Sequence, residues 1–253
     1  MRTFTRFVAL ATTSCLIAAL AAVSIDAAEI AVVASGGPLP NIMSAVIAQF
    51  ERATGHKVTI NFKAGPAIST DVKQGAADLV VTNTEVVDDL AKSGDVTPGS
   101  KTLLMISKVG VAVKTGAPKP DISTADKLKA ALLAAKTVGY SQGASGQHFL
   151  TVIERLGIAE AVKAKAVVAQ GEPVGPLIAK GAAEIGVQQI AELLPIPGIE
   201  ILGVLPADLQ KQIPYSAGIP AKAKDRTVAQ ALIDFLRSQP VLVLLKQKGM
   251  DLP

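Results

Sequence analysis

Three clusters of small, hydroxyl-bearing and amide residues suit the holding of an anion through neutral donors. The first is Ala34-Ser35-Gly36-Gly37-Pro38, where an apolar run ends. Ser35 brings a hydroxyl, and Gly36 and Gly37 let the main chain approach a ligand closely. The second is Tyr140-Ser141-Gln142-Gly143-Ala144-Ser145-Gly146-Gln147-His148. Here the main-chain N–H groups of Ser145, Gly146 and Gln147 read as an anion cradle at a helix start, with Ser145 also placed to cap that helix. The third is Gln188-Gln189, directly after Ile185-Gly186-Val187. Adjacent side chains at a strand end point to opposite sides, so one amide reaches a cleft. Lys63, just ahead of Ala64-Gly65-Pro66, offers a positive charge to a carboxylate.

Catalysis has no positive signature. Gly143-Ala144-Ser145-Gly146-Gln147 is close to the G-x-S-x-G nucleophile elbow, but Gln147 stands where the last glycine belongs. His148 is too near in sequence to be the usual base, and His56 sits in a turn beside Gly55. Two separated histidines without a partner cysteine make no zinc set, and no carboxylate pair for acid–base work stands out. Neither enzyme activity nor a cofactor is expected. A hydrolase using Ser145 is the alternative, as is an exported sensory or scaffold module that binds no small molecule.

These clusters need elements to position them. Glu29 to Ala34 reads as a buried strand, followed by a helix from Asn41 to Ala53 with apolar residues at helical spacing. Lys57 to Phe62 alternates as a strand, Thr70 to Gly75 is a short helix, Asp78 to Thr82 a strand and Glu85 to Lys92 a helix. Thr102 to Lys114 is a long β-type stretch. The pattern then restarts, with a helix from an N-cap at Ser123 to Ala135, a strand at 137–140 and a helix from Gly146 to Leu156. Further strands are read at 166–169, 184–188, 199–205 and 213–219, with a helix from Val174 to Lys180 among them. Two helices close the chain, at 225–236 and 241–249. Strands alternating with helices mean parallel sheets with crossover helices, and ligands then sit at strand carboxyl ends beside helix N-termini.

The N-terminal segment is set aside as targeting sequence. Arg2 and Arg6 precede an apolar run from Phe7 to Val23, and small residues follow Asp26. That order reads as a secretory signal over residues 1–27, cut near Ala27, with a periplasmic destination. The single cysteine, Cys15, lies inside it, so the mature chain has no thiol chemistry and depends on its apolar core. With Arg2, Arg6 and Asp26 removed, net charge falls from +4 to +3. The basic residues are scattered, aromatics are 3% and tryptophan is absent, so nucleic acid has no stacking platform and is not an expected partner.

The segments EIAVVAS, FERATGHKV, QGAADLVVTN and EIGVQQ together resemble the periplasmic molybdate-binding proteins and their relatives, over nearly the whole mature chain. The resemblance implies an α/β, two-lobed type II periplasmic-binding-protein fold. Each lobe would be a mostly parallel sheet flanked by helices, and a two-strand hinge would join them. Residues 28–112 with 217–253 would form lobe I, and 113–216 lobe II. It also implies a monomer that captures a small anion in the interlobe cleft and delivers it to the membrane permease of an ABC importer. Residue by residue, Ser35 matches the family's serine at the end of the first strand, and Ala144-Ser145-Gly146 matches a turn of backbone donors. Val174 stands near a valine amide of the family site. Two side-chain donors differ: Lys63-Ala64-Gly65-Pro66-Ala67 replaces a serine-rich segment, and Gln189 replaces a tyrosine. These departures favour a small organic carboxylate over a molybdate-type oxyanion.

Overall fold

The computed structural model describes residues 27–253. The expected signal lies outside them, Ala27 excepted. The elements in chain order are β1 (Glu29–Ser35), α1 (Leu39–Thr54), β2 (Lys57–Lys63), α2 (Gly65–Gln74), β3 (Leu79–Asn83), α3 (Thr84–Lys92) and β4 (Thr102–Lys114). Then come α4 (Ala125–Ala134), β5 (Val138–Ser141), α5 (Ala144–Arg155), α6 (Ala159–Lys163), β6 (Ala166–Ala169), α7 (Gly175–Ala179), β7 (Ile185–Gln189) and α8 (Ile190–Leu193). The chain finishes with β8 (Ile199–Val204), β9 (Gln212–Gly218), α9 (Arg226–Leu236) and α10 (Gln239–Gln247).

The strands form one curled mixed sheet in the order β2-β1-β3-β9-β4-β7-β5-β6, with β8 also on β4. β1 pairs in parallel with β2 and β3, and β5 with β6 and β7. The two parallel sets are joined by antiparallel strands. Residues 102–108 of β4 pair with β9, which also pairs with β3. Residues 109–113 of the same strand pair with β7, and residues 110–114 with β8. β4 therefore serves both halves of the sheet.

Burial follows the apolar spacing read along the chain. Helix α1 buries Leu39, Ile42, Met43, Val46, Ile47 and Phe50. Phe50 meets Phe235 of α9 edge-on at 5.5 Å, which brings the last helices back to the first half. Buried Asp78 accepts main-chain N–H groups from Ala31 (2.9 Å) and Lys224 (2.6 Å), tying β1 to the segment before α9.

Several helix starts differ from the sequence expectation. α2 begins at Gly65, not Thr70, because Pro66 fits a first helical turn that needs no N–H there. α1 likewise starts at Leu39, with Pro40 in its first turn. Thr124, not Ser123, caps α4: its hydroxyl accepts the Lys127 N–H, while the Ser123 N–H is held by Asp121.

Candidate functional site

The ends of β1, β2, β3, β5, β6 and β7 open onto one cavity of about 750 Å³. Ser35, Gly36 and Gly37 line it from the first half, with Lys63, Ala64 and Gly65 beside them. Ser141 to Ser145 and the 171–173 loop line it from the second half. Asn83, Gln188, Gln189, Glu192 and Tyr215 complete the wall. Of the sequence candidates, Ser35, Gly36, Gly37, Lys63, Ala144, Ser145 and Gln189 are brought together. Gly146, Gln147 and Val174 are not on the wall.

The donors come chiefly from helix starts. α5 begins at Ala144 behind Gly143, with no side-chain cap. Its first bond runs from Gln147 N–H to the Gly143 carbonyl at 2.9 Å. That leaves the N–H groups of Ala144, Ser145 and Gly146 ahead of the helical ladder. Gln147 is therefore corrected: its N–H is spent inside the helix. Ser145 is no cap either, since it lies buried in the first turn. Gly146 has a packing role, because a Cβ there would lie 1.6 Å from the Ser141 carbonyl oxygen. α2 repeats the arrangement. Ala64 holds an extended cap conformation without any acceptor on its side chain, and the first bond runs from Ile68 N–H to Ala64 O. The Gly65 and Ala67 N–H groups are thus also ahead of the ladder.

Ser35 ends β1, and its hydroxyl is buried without a hydrogen-bond partner among the described residues. Gly37 adopts φ +69°, which favours glycine. A Cβ there would stand 3.4 Å from Gln189 Nε2 and 3.8 Å from Glu192 Cδ. The β1–α1 turn thus rests on side chains from the other half of the sheet.

Those side chains form a connected set that sequence reasoning did not find. Gln188 and Gln189 are both buried, not solvated. Val174 N–H donates to Gln188 Oε1 at 2.8 Å, so that amide is taken and Val174 is corrected as a ligand donor. The same bond fixes the Gln188 amide orientation and turns its NH₂ to Glu192 Oε1 at 2.8 Å. Gln189 Nε2 donates to Glu192 Oε2 at 3.0 Å. Tyr215 Oη, from β9, donates to Gln189 Oε1 at 3.1 Å. Burial raises the Glu192 carboxyl to about 7, against the opposing pull of the Gln189 and Gln188 amides. Burial also pushes the Tyr215 phenol up. The spacing Gln188-Gln189-x-x-Glu192, which places a carboxylate under two amides, was the available signal.

Lys63 is corrected as a bare cation: its ammonium pairs with Asp71 at 2.6 Å. Neither histidine lines the cavity. His56 Nδ1 accepts the Ala28 N–H, and His148 Nε2 bonds the Leu209 carbonyl at 2.7 Å. Ser145 thus has no imidazole beside it on the cavity wall.

The positions of these donors can be set beside known proteins. The sequence profile described as "Bacterial extracellular solute-binding protein" matches residues 31–251. The Pseudomonas sp. protein "Aconitate isomerase" is 34% identical over 228 residues, covering 87% of this chain and 86% of that protein. "Molybdate-binding protein ModA" of Azotobacter vinelandii is 30% identical over 257 residues, covering 93% and 94%. Among solved structures, the substrate-binding domain of a molybdenum ABC transporter from Clostridium difficile superposes with a TM-score of 0.72 at 17% identity, over 90% of this chain and all of that one. The fold is thus that of the type II periplasmic binding proteins, and the chain belongs to the bacterial extracellular solute-binding protein family.

Proposed function

We propose that this chain captures a small organic polycarboxylate in the cavity, as the extracytoplasmic component of an ABC importer. The observation that carries the reading is the pair of helix starts, α2 and α5, that reach the cavity from opposite halves without caps. Each offers free N–H groups and the positive end of a helix dipole. Two such cradles set apart suit a ligand with more than one carboxylate. The cavity, about 750 Å³, is also in the range of small-molecule sites, roughly 300–1,000 Å³, and is spacious for a four-oxygen anion. The 34% identical relative is named for aconitate, a tricarboxylate. Ser35, Gly36, Gly37, Ala144 and Ser145 would contact the ligand, with Lys63 and Gln189 behind them.

Capture would close the two lobes about the shared strands. The pairing of Tyr215 and Ser216 with β3, and of residues 212–214 with residues 106–108 of β4, supports moving 212–216 from the second lobe, where the sequence put them, to the first. The protein would act as a monomer and deliver its ligand to a membrane permease.

Titration calorimetry with cis- and trans-aconitate, other di- and tricarboxylates, molybdate and tungstate tests this. Binding of one or more of the organic acids is expected. Tight binding of molybdate with none of them overturns it. Silence toward every ligand in a thermal-shift screen favours the non-binding module, since a ligand at ~100 times its Kd adds about 2.7 kcal/mol.

A second reading, turnover of the captured acid, is favoured by one feature of the wall. Glu192 is a carboxylate on the wall of this cavity, and among the described residues no lysine or arginine pairs with it.

A further inference from the structure

We propose that Glu192 is the proton carrier of an allylic isomerisation performed on the acid held in the cavity. The inference rests on the polycarboxylate reading above.

An acidic side chain facing an anion site opposes binding unless it carries a proton or exchanges one. Among the described residues Glu192 makes no ion pair. The one lysine on the wall, Lys63, is already paired with Asp71. The other wall carboxylate, Glu172, is exposed in the loop after β6. Glu192 is instead held by neutral groups. The Gln188 amide grips one oxygen and the Gln189 amide the other. Val174 N–H locks Gln188 from behind, and Tyr215 locks Gln189. Four residues thus orient one carboxyl, and each of its oxygens keeps a lone pair for a proton. Gln188 and Gln189 are positioning residues here, and Tyr215 positions Gln189. A carboxyl raised by burial to about 7 is populated in both forms near neutral pH, as a group that takes and returns a proton must be.

The step balances without any further reagent. Glu192 takes a proton from the methylene carbon of a propene tricarboxylate. The C–H electron pair spreads over the three-carbon chain and the adjoining carboxylate. Protonation by Glu192 at the far carbon restores a C–H bond there and leaves the double bond one position along. Every carbon of that chain bears a carboxyl group, so the product has the same constitution and differs in cis or trans geometry. Nothing is oxidised or reduced. Negative charge that builds on the carboxylate oxygens meets the free N–H groups of α2 or α5.

The test uses the chain as it exists, with cis-aconitate as probe. Proton NMR in deuterium oxide reads solvent exchange at the methylene carbon and the isomer ratio, and calorimetry reads binding separately. The wild-type protein is expected to bind, exchange and isomerise. E192Q should bind within about fivefold of wild type, while exchange falls by about 100-fold or more. E192D, which keeps the carboxyl but retracts it, should fall between them and guards against a folding defect in E192Q. Binding by wild type without exchange overturns the inference and leaves the capture reading standing. Exchange by either variant at the wild-type rate also overturns it. Failure of wild type to bind any aconitate sinks the capture reading and this inference together.

Discussion

Two sets of helix starts in this molecule are built differently. Away from the cavity, Thr124 caps α4 and Asp225 caps α9, each accepting an N–H of the first turn. At the cavity, Ala64 and Gly143 hold extended cap conformations before α2 and α5 and offer no acceptor. The difference is not steric. Gly143 has φ −75°, open to any residue, and a Cβ there would meet only Ser141 Oγ at 3.6 Å. Alanine is among the poorest caps, and glycine brings no side-chain acceptor. The two cavity-facing starts of α2 and α5 go without the capping bond that α4 and α9 keep. Asn83, a good capping type, also lies on the cavity wall and precedes α3 without capping it.

Four measurements can break or sharpen that contrast. The largest effect is expected at Glu192. Its carboxyl sits at about 7 in the folded protein against an ordinary 4.5, so the folded state holds the proton more tightly. Stability is then fully present below about 4.5 and is lost as pH rises through about 7, by up to roughly 3 kcal/mol. E192Q should match wild type in urea unfolding at pH 4.5 and exceed it at pH 8; equal stability at both would remove the burial cost ascribed to the Glu192 carboxylate. Next, G143D installs a cap on α5. Ligand affinity should drop about 100-fold as the cradle fills, while stability rises by only about 0.3 kcal/mol, since glycine is itself a tolerated cap. Unchanged affinity would mean that these N–H groups do not face the ligand. S35A removes a buried hydroxyl that has no partner among the described residues. Binding should weaken about tenfold with no loss of thermal stability; a destabilised S35A that binds normally would assign the serine to the scaffold. The smallest effects belong to T124A and D225A, each expected to lower stability by about 1 kcal/mol in denaturant titration and leave calorimetric binding unchanged.

Much of the fold could be read from the residues because its signals are local. The runs at Glu29–Ser35 and Leu79–Asn83 are apolar enough to be buried strands, and Leu39–Thr54 carries its apolar stripe in its spacing. The turns at Ser35 and Ser145 were readable for the same reason: each ends a strand with small polar residues. What escaped depends on partners distant in sequence. Whether the Val174 N–H is free is decided by Gln188, and the Gln147 N–H by a helix that starts two residues earlier than its apolar spacing indicates. The Lys63 charge is settled by Asp71, one helix away. Glu192 becomes unusual only because β7 and β9 bring two glutamines and a tyrosine around it. Residue type states what a group can do; its burial and partners decide whether it is at liberty to do it.

Strand β4 changes neighbours along its length, bonding β9 up to Lys108 and β7 from Val109 onward. A rotation of one half against the other cannot be absorbed by a slack tether there, because the strand is hydrogen-bonded on both sides of the changeover. In the proposed closure it would be taken up as elastic torsion in a few peptide units, which would make the spring constant of this strand one quantity that sets how far the cavity opens.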